Sequence, residues 1–199
     1  MTSQPTPTAD QIWCAVAEER AALLALLEPL PETAWDTRSL CADWRVRDVV
    51  AHLILSSEVR LPRLLRELIR ARGDIHGLIR DSSIAHAEQH SATELLAQLR
   101  ESVPVRFTPF GTGPIDRLMD LVVHAQDIAI PLGIDHPVPA FAGRLALEHV
   151  WGMRDFRAQR RFRGRRLMAT DLDWAAGSGA VTEARAVELL MLITGRTTG

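Results

Sequence analysis

The stretch Pro114-Ile-Asp-Arg-Leu-Met-Asp120-Leu-Val-Val-His124-Ala-Gln-Asp127-Ile-Ala-Ile130 decides how this chain is read. Ile115, Leu118, Met119, Val122 and Val123 recur at helical spacing. A proline opens the segment, where its missing N–H costs nothing, and Pro131 with Gly133 closes it. The pattern predicts a helix over about 114–130. Asp120 and His124, four residues apart, leave that helix on one face, and Asp127 follows one turn on.

Working outward, Thr8 and Gln11 form a capping box, and Ile12, Val16, Leu23, Leu26 and Leu27 carry a first helix over about 9–28. A loop with Trp35, Cys41 and Trp44 precedes a second helix from about 45, marked by Val46, Val49, Val50, Leu53 and Ile54. Pro62 predicts a kink or break in its continuation, which Gly73 closes. Residues 74–90 are polar, hold His76, His86 and His90 without clear periodicity, and read as a surface connection with room for a short helical piece. Ser91 and Glu94 make another capping box, opening a third helix that ends at Pro104. Downstream, Phe141, Leu145, Leu147, Val150 and Trp151 predict a helix over about 139–156. Residues 166–175 alternate like a strand, Gly177-Ser178-Gly179 reads as a turn before a short extended segment at 180–182, and 186–193 is a final helix ended by Gly195. The expected fold is mainly α: a four-helix bundle over residues 8–160 with a short C-terminal extension, a β-hairpin plus helix, over 161–199.

Composition narrows the function classes. With 23 basic and 25 acidic residues the formal charge is −2, so there is no overall field to draw nucleic acid or an anionic membrane surface. No apolar run approaches the ~20 residues of a membrane span and no secretory leader pattern opens the chain, so a cytoplasmic protein is expected. Cys14 and Cys41 are too few for a disulfide framework or a four-cysteine metal site. His-Glu-x-x-His, Gly-x-Ser-x-Gly, Walker and Cys-x-x-Cys signatures are missing, and Gly111-Thr-Gly113 reads as a turn.

What remains is histidine placement. His52 lies within the apolar run Val49-Val50-Ala51-His52-Leu53-Ile54, and packing of its helix on the Asp120/His124 helix would bring the three together. Two imidazoles and one carboxylate suit a divalent cation with positions left open for water or a thiolate. By spacing alone, an i,i+4 Asp/His pair on a helix is more often an ordinary hydrogen-bonded or surface pair. Asp127 reads either as an orienter of His124 or as a solvent-facing carboxylate, and Cys41 as a small apolar residue packed with Trp44. His76, His86, His90, His136 and His149 read as surface residues, and the arginines of 157–166 as a solvated face.

Three segments carry a resemblance. Trp35 to Leu53, with Cys41-Ala-Asp-Trp44-Arg-Val-Arg-Asp48-Val-Val-Ala-His52-Leu53, is similar to the N-terminal signature of the mycothiol-dependent maleylpyruvate isomerase family, a branch of the DinB-like metalloenzymes. Leu121-Val-Val-His124-Ala-Gln-Asp127-Ile128 followed by Pro131-Leu-Gly133 resembles its second metal segment, and Ala169-Thr-Asp171-Leu-Asp173-Trp174 with Gly195-Arg196 resembles its C-terminal extension. The resemblance implies a bundle holding one divalent metal, Zn²⁺ first and Ni²⁺ second, on His52, Asp120 and His124, with Asp127 behind them. The isomerase type carries Glu where this chain has Asp120, one methylene shorter. It further implies mycothiol as a thiol cosubstrate, made nucleophilic by coordination, a small electrophile as its partner, and turnover by thiol transfer or by addition, rotation and elimination. In that family a C-terminal arginine holds substrate carboxylates by bidentate geometry, and Arg196 is its counterpart here. Two other readings stay open: a metal-binding bundle without turnover, serving a stress response or a partner, and hydrolysis by metal-bound water.

Overall fold

A computed structural model describes residues 6–57, 74–109 and 111–196. Helix α1 (Ala9–Leu27) opens with Thr8 accepting from the Gln11 N–H while the Gln11 side chain accepts from the Thr8 N–H, which satisfies two otherwise orphaned donors. A 3₁₀ turn at Glu32–Asp36 leads to α2 (Val46–Leu55), whose first turn is closed by Asp48 accepting from the Arg45 N–H at 2.8 Å and from its guanidinium. Helix α3 (Ile75–Glu88) follows, then α4 (Ala92–Ser102) behind the Ser91/Glu94 capping box, α5 (Pro114–Ala129) and α6 (Ala140–Gly152). The bend expected at Pro62 and the stop at Gly73 lie outside the described residues.

Helices α1, α5, α2 and α4 form a closed ring, each packing on the next, with α3 against α2 and α6 against α5. Leu23, Leu27, Val49, Val50, Leu95, Leu99, Leu118 and Val122 fill the space between them. From Leu121 to Ala129 every residue of α5 is buried, His124, Gln126 and Asp127 included. The second half of this helix is enclosed on all sides instead of being amphipathic. Arg20 of α1 is buried too, and donates to the carbonyls of Ser102 and Val105 at 2.6 and 2.8 Å, satisfying backbone that the end of α4 leaves open.

Two expectations need correction. The polar stretch 74–90 is a helix of 14 residues: its Asp74 cap accepts from the Gly77 N–H, while Ser83 and Ala87 are buried. Only a narrow apolar strip is needed there, too narrow to register as periodicity. The strand expected over 166–175 divides in two. After a short helical turn α7 (Ala158–Arg161), β1 (Arg165–Ala169) reverses at 170–174 into β2 (Ala175–Gly177), and β3 (Ala180–Ala184) then pairs parallel with the other edge of β1. The order is β2-β1-β3, so Ser178 and Gly179 carry the chain around the start of β1. That passage needs glycine: a Cβ on Gly179 (φ +116°) would lie 2.2 Å from the Gly164 carbonyl oxygen.

Helix α8 (Ala186–Thr194) buries Leu189, Leu190, Met191 and Ile193, largely against α6. It ends at Gly195 in the left-handed conformation, where the Arg196 N–H donates back to the Met191 carbonyl, a Schellman closure. This closure turns Arg196 toward α5.

Candidate metal centre

Three elements meet at the middle of α5. From α2, His52 Nε2 lies 3.3 Å from Asp120 Oδ2. On α5 itself, His124 Nε2 lies 3.4 Å from Asp120 Oδ1. One donor atom from each of the three residues falls within 4.8 Å of the others, and the two imidazole planes stand at 71°. The loop before α2 closes the third side. The Leu40 N–H donates to the Asp127 backbone carbonyl at 3.0 Å, and the Ser39 hydroxyl bridges the carbonyls of Cys41 and Trp44. Trp44 is thereby held with its ring 5.1 Å from that of His52 and 6.0 Å from that of His124.

Behind the trio runs a chain of charge. His124 Nδ1–H donates to Asp127 Oδ2 at 2.8 Å, and Arg196 donates to both oxygens of the same carboxylate, Nε at 2.7 Å and Nη2 at 2.8 Å. Asp127 is fully buried, so the arginine supplies the countercharge that lets it stay ionised. Burial works against that ionised form, yet the hydrogen bonds from His124 and Arg196 outweigh it and hold the carboxyl below its usual range. An ionised Asp127 accepts only, so Nδ1 of His124 carries the proton and Nε2 is the nitrogen turned to Asp120.

The donor set suits a divalent cation. Oδ2 of Asp120 is buried and makes no hydrogen bond, because its approach to His52 is misaligned. Burial opposes the charged carboxylate, but the two imidazoles beside it hold Asp120 well below the usual range. At His124 burial likewise opposes charge, and the two carboxylates reverse the outcome, raising the ring to about 9. A cation at Nε2 therefore competes with a proton. With the proton displaced from His124, two imidazole nitrogens and one carboxylate would match sites that keep positions open for water or substrate.

Residues 16–108 match a family profile described as the mycothiol maleylpyruvate isomerase N-terminal domain. Over that segment, just under half of the chain, the sequence is similar to this domain family. Cys41, Trp44 and His52 fall inside the domain, while Asp120, His124, Asp127 and Arg196 lie beyond it. The fold extends further: the crystal structure of a mycothiol-dependent maleylpyruvate isomerase and that of its His-to-Ala mutant each align with TM-score 0.61 and 12% identity, over 96% of this chain and 91% of theirs. At that identity the likeness is one of fold. No curated protein sequence matches the chain.

The structure brings His52, Asp120, His124 and Asp127 together, and joins Arg196 to Asp127 across 69 residues of sequence. Asp127 is thus buried and hydrogen-bonded to His124, and is not a solvent-facing carboxylate. Arg196 differs from its expected role, because the two donors that would grip a substrate carboxylate already grip Asp127. Cys41 packs against the core as expected, and its sulfur also falls within 4.8 Å of donor atoms of His124 and Asp127. Burial, and then the charge of Asp127, push that thiol up to about 11, so it stays protonated. Of the histidines read as surface residues, His149 pairs with Asp116 at 2.9 Å and His86 with Gln98 at 2.7 Å. Sequence reasoning missed Arg117, which reaches Asp120 Oδ2 at 3.5 Å. Its position three residues before Asp120 was the available signal.

Proposed function

We propose that this protein is a mononuclear divalent-metal enzyme that uses a small thiol, mycothiol in the family it resembles, against a small electrophile. His52, Asp120 and His124 would hold the metal. The observation that carries the reading is the convergence of these three donors around a buried, unbonded Asp120 oxygen. Bound there, the metal supplies Lewis acidity that lowers the pKa of a coordinated thiol, giving a nucleophile at neutral pH.

The chain's own residues account for the rest. Asp127 keeps the Nδ1 proton on His124 and so presents Nε2 in one tautomer, a role known to tune metal ligands. Arg196 keeps Asp127 ionised and fixed. Trp44 packs beside both imidazoles and keeps bulk water from that side, which strengthens electrostatics within the site. Attack of the thiolate sulfur on an electrophilic carbon would form a C–S bond while the double-bond electrons move to the neighbouring atom. Rotation followed by loss of the thiolate completes an isomerisation, and protonation in place of loss completes a transfer.

Metal content of the purified wild type, measured by mass spectrometry beside His52→Ala and His124→Ala, tests the reading. The expected result is one equivalent in wild type and loss in both variants. Asp127→Asn should keep the metal but bind it about 10–100-fold more weakly in chelator competition. A folded wild type that contains no metal and takes up no added Zn²⁺ would exclude the metalloenzyme.

A further inference from the structure

A pocket lies on the far side of α5 from the metal trio. Gln126 is two residues beyond His124, about 200° around the helix, so its side chain leaves the opposite side. There the connection from α5 to α6, the reversal between β1 and β2, and the first turn of α8 enclose a volume of about 200 Å³. That is room for a molecule of a few heavy atoms, less than a drug-sized site. Ile130, Ile134, Val138 and Val187 give it aliphatic walls.

Most of the polar groups that line it are acceptors. His136 Nε2 is buried and has no hydrogen-bond partner among the described residues. Burial holds that ring below its usual pKa against the opposing charge of Asp135, so at neutral pH it is uncharged and one of its nitrogens accepts. Gln126, 3% exposed, donates from its amide nitrogen to the His136 carbonyl at 2.9 Å, which leaves Oε1 as the acceptor it offers. Asp135 and Asp171 add two carboxylates, and the one cation of the lining, Arg185, stands 3.7 Å from Asp171 Oδ2. The start of α8 by itself favours an anion, but Asp171 Oδ1 already accepts from the Ala186 N–H at 2.8 Å and counters that end of the helix. The lining therefore carries one net negative charge. An acceptor-rich, negative pocket with aliphatic walls suits a ligand that is apolar at one end and a cationic donor at the other, and an ammonium group offers three N–H donors and no acceptor.

We propose that this pocket is a binding site for a small aliphatic primary amine in its ammonium form: the ammonium group donates to His136 Nε2, with the ring proton on Nδ1, and to the free oxygen of Asp171, while the alkyl chain lies on Ile130, Ile134, Val138 and Val187. The site is separate from the metal centre, and the proposal does not depend on a metal being bound there.

The test is a titration of the full chain with butylammonium chloride at constant pH and chloride, with butanol and butyrate as its neutral and anionic matches. Binding is read from the NMR signals of the His136 ring and of the isoleucine and valine methyl groups that line the pocket. Expected are a saturable shift with butylammonium in the millimolar range, affinities lower by about tenfold or more for butanol and butyrate, and a loss of about tenfold in His136→Leu and in Asp171→Asn. Asparagine still accepts from the start of α8, so Asp171→Asn decides the matter even where His136→Leu does not fold. No saturable shift in wild type would overturn the proposal and leave a water-filled pocket. Butanol or butyrate bound as tightly as butylammonium would overturn it as well, as would an affinity for butylammonium unchanged in Asp171→Asn or in folded His136→Leu.

Discussion

Glu19 is 4% exposed on α1, where apolar residues would be expected to face the bundle. Burial, and then the neighbouring charge of Glu18, raise its carboxyl from 4.5 to about 7. The folded state therefore binds a proton that the unfolded chain has already released between these two values. Stability from this group is greatest below pH 4.5, falls as pH rises, and the penalty is complete above about 7. Glu19→Gln should raise unfolding free energy at pH 8 by up to ~3 kcal/mol and flatten its slope between these limits, as measured by urea melts across pH. A variant with the wild-type slope would mean that Glu19 is ionised throughout. The contrast with Asp127 is instructive: equally buried, it meets a guanidinium and an imidazole, and its pKa moves the opposite way.

The elements differ in how they are specified. Helices α1 and α4 start at capping boxes spelled out within four residues, so their first turns hold without help from the core. The sheet depends instead on backbone geometry at one glycine. Gly179→Ala would place a methyl group against the Gly164 carbonyl at a φ that side chains rarely adopt. Since β1 can give way only by breaking the pairing Arg165↔Ala180, the change should cost roughly 2 kcal/mol or more by denaturant unfolding. A loss within a few tenths of that for an exposed alanine replacement would show that β3 reaches β1 by another path. The 14-residue α3, read from sequence as a connection, shows the opposite case: its helical state is supported by packing on α2.

At the scale of the molecule, the C-terminal segment is joined to the bundle by more than apolar contact. Helix α8 lies on α6, and beyond its Schellman turn Arg196 reaches the carboxylate that orients His124. Arg196→Gln would strand a buried charge and should lower stability by about 3 kcal/mol, while Asp127→Asn with Arg196→Gln should cost clearly less than the two single changes together. A double-mutant cycle by urea unfolding measures this; strict additivity would mean the pair is not coupled.

Much of this organisation is legible in the chain itself. Period and caps mark α1, α2, α4, α5 and α6, because each helix carries its apolar spacing and its stop signals locally. The spacing of Asp120, His124 and Asp127 places them on one face whatever surrounds the helix. Local pattern does not say what lies opposite that face. Only the packing of α2 on α5 brings His52 to Asp120 and His124, and only the return of α8 decides that Arg196 faces Asp127. Charge pairing in a buried site is set by distances through space, between residues that the sequence separates by as many as 69 positions.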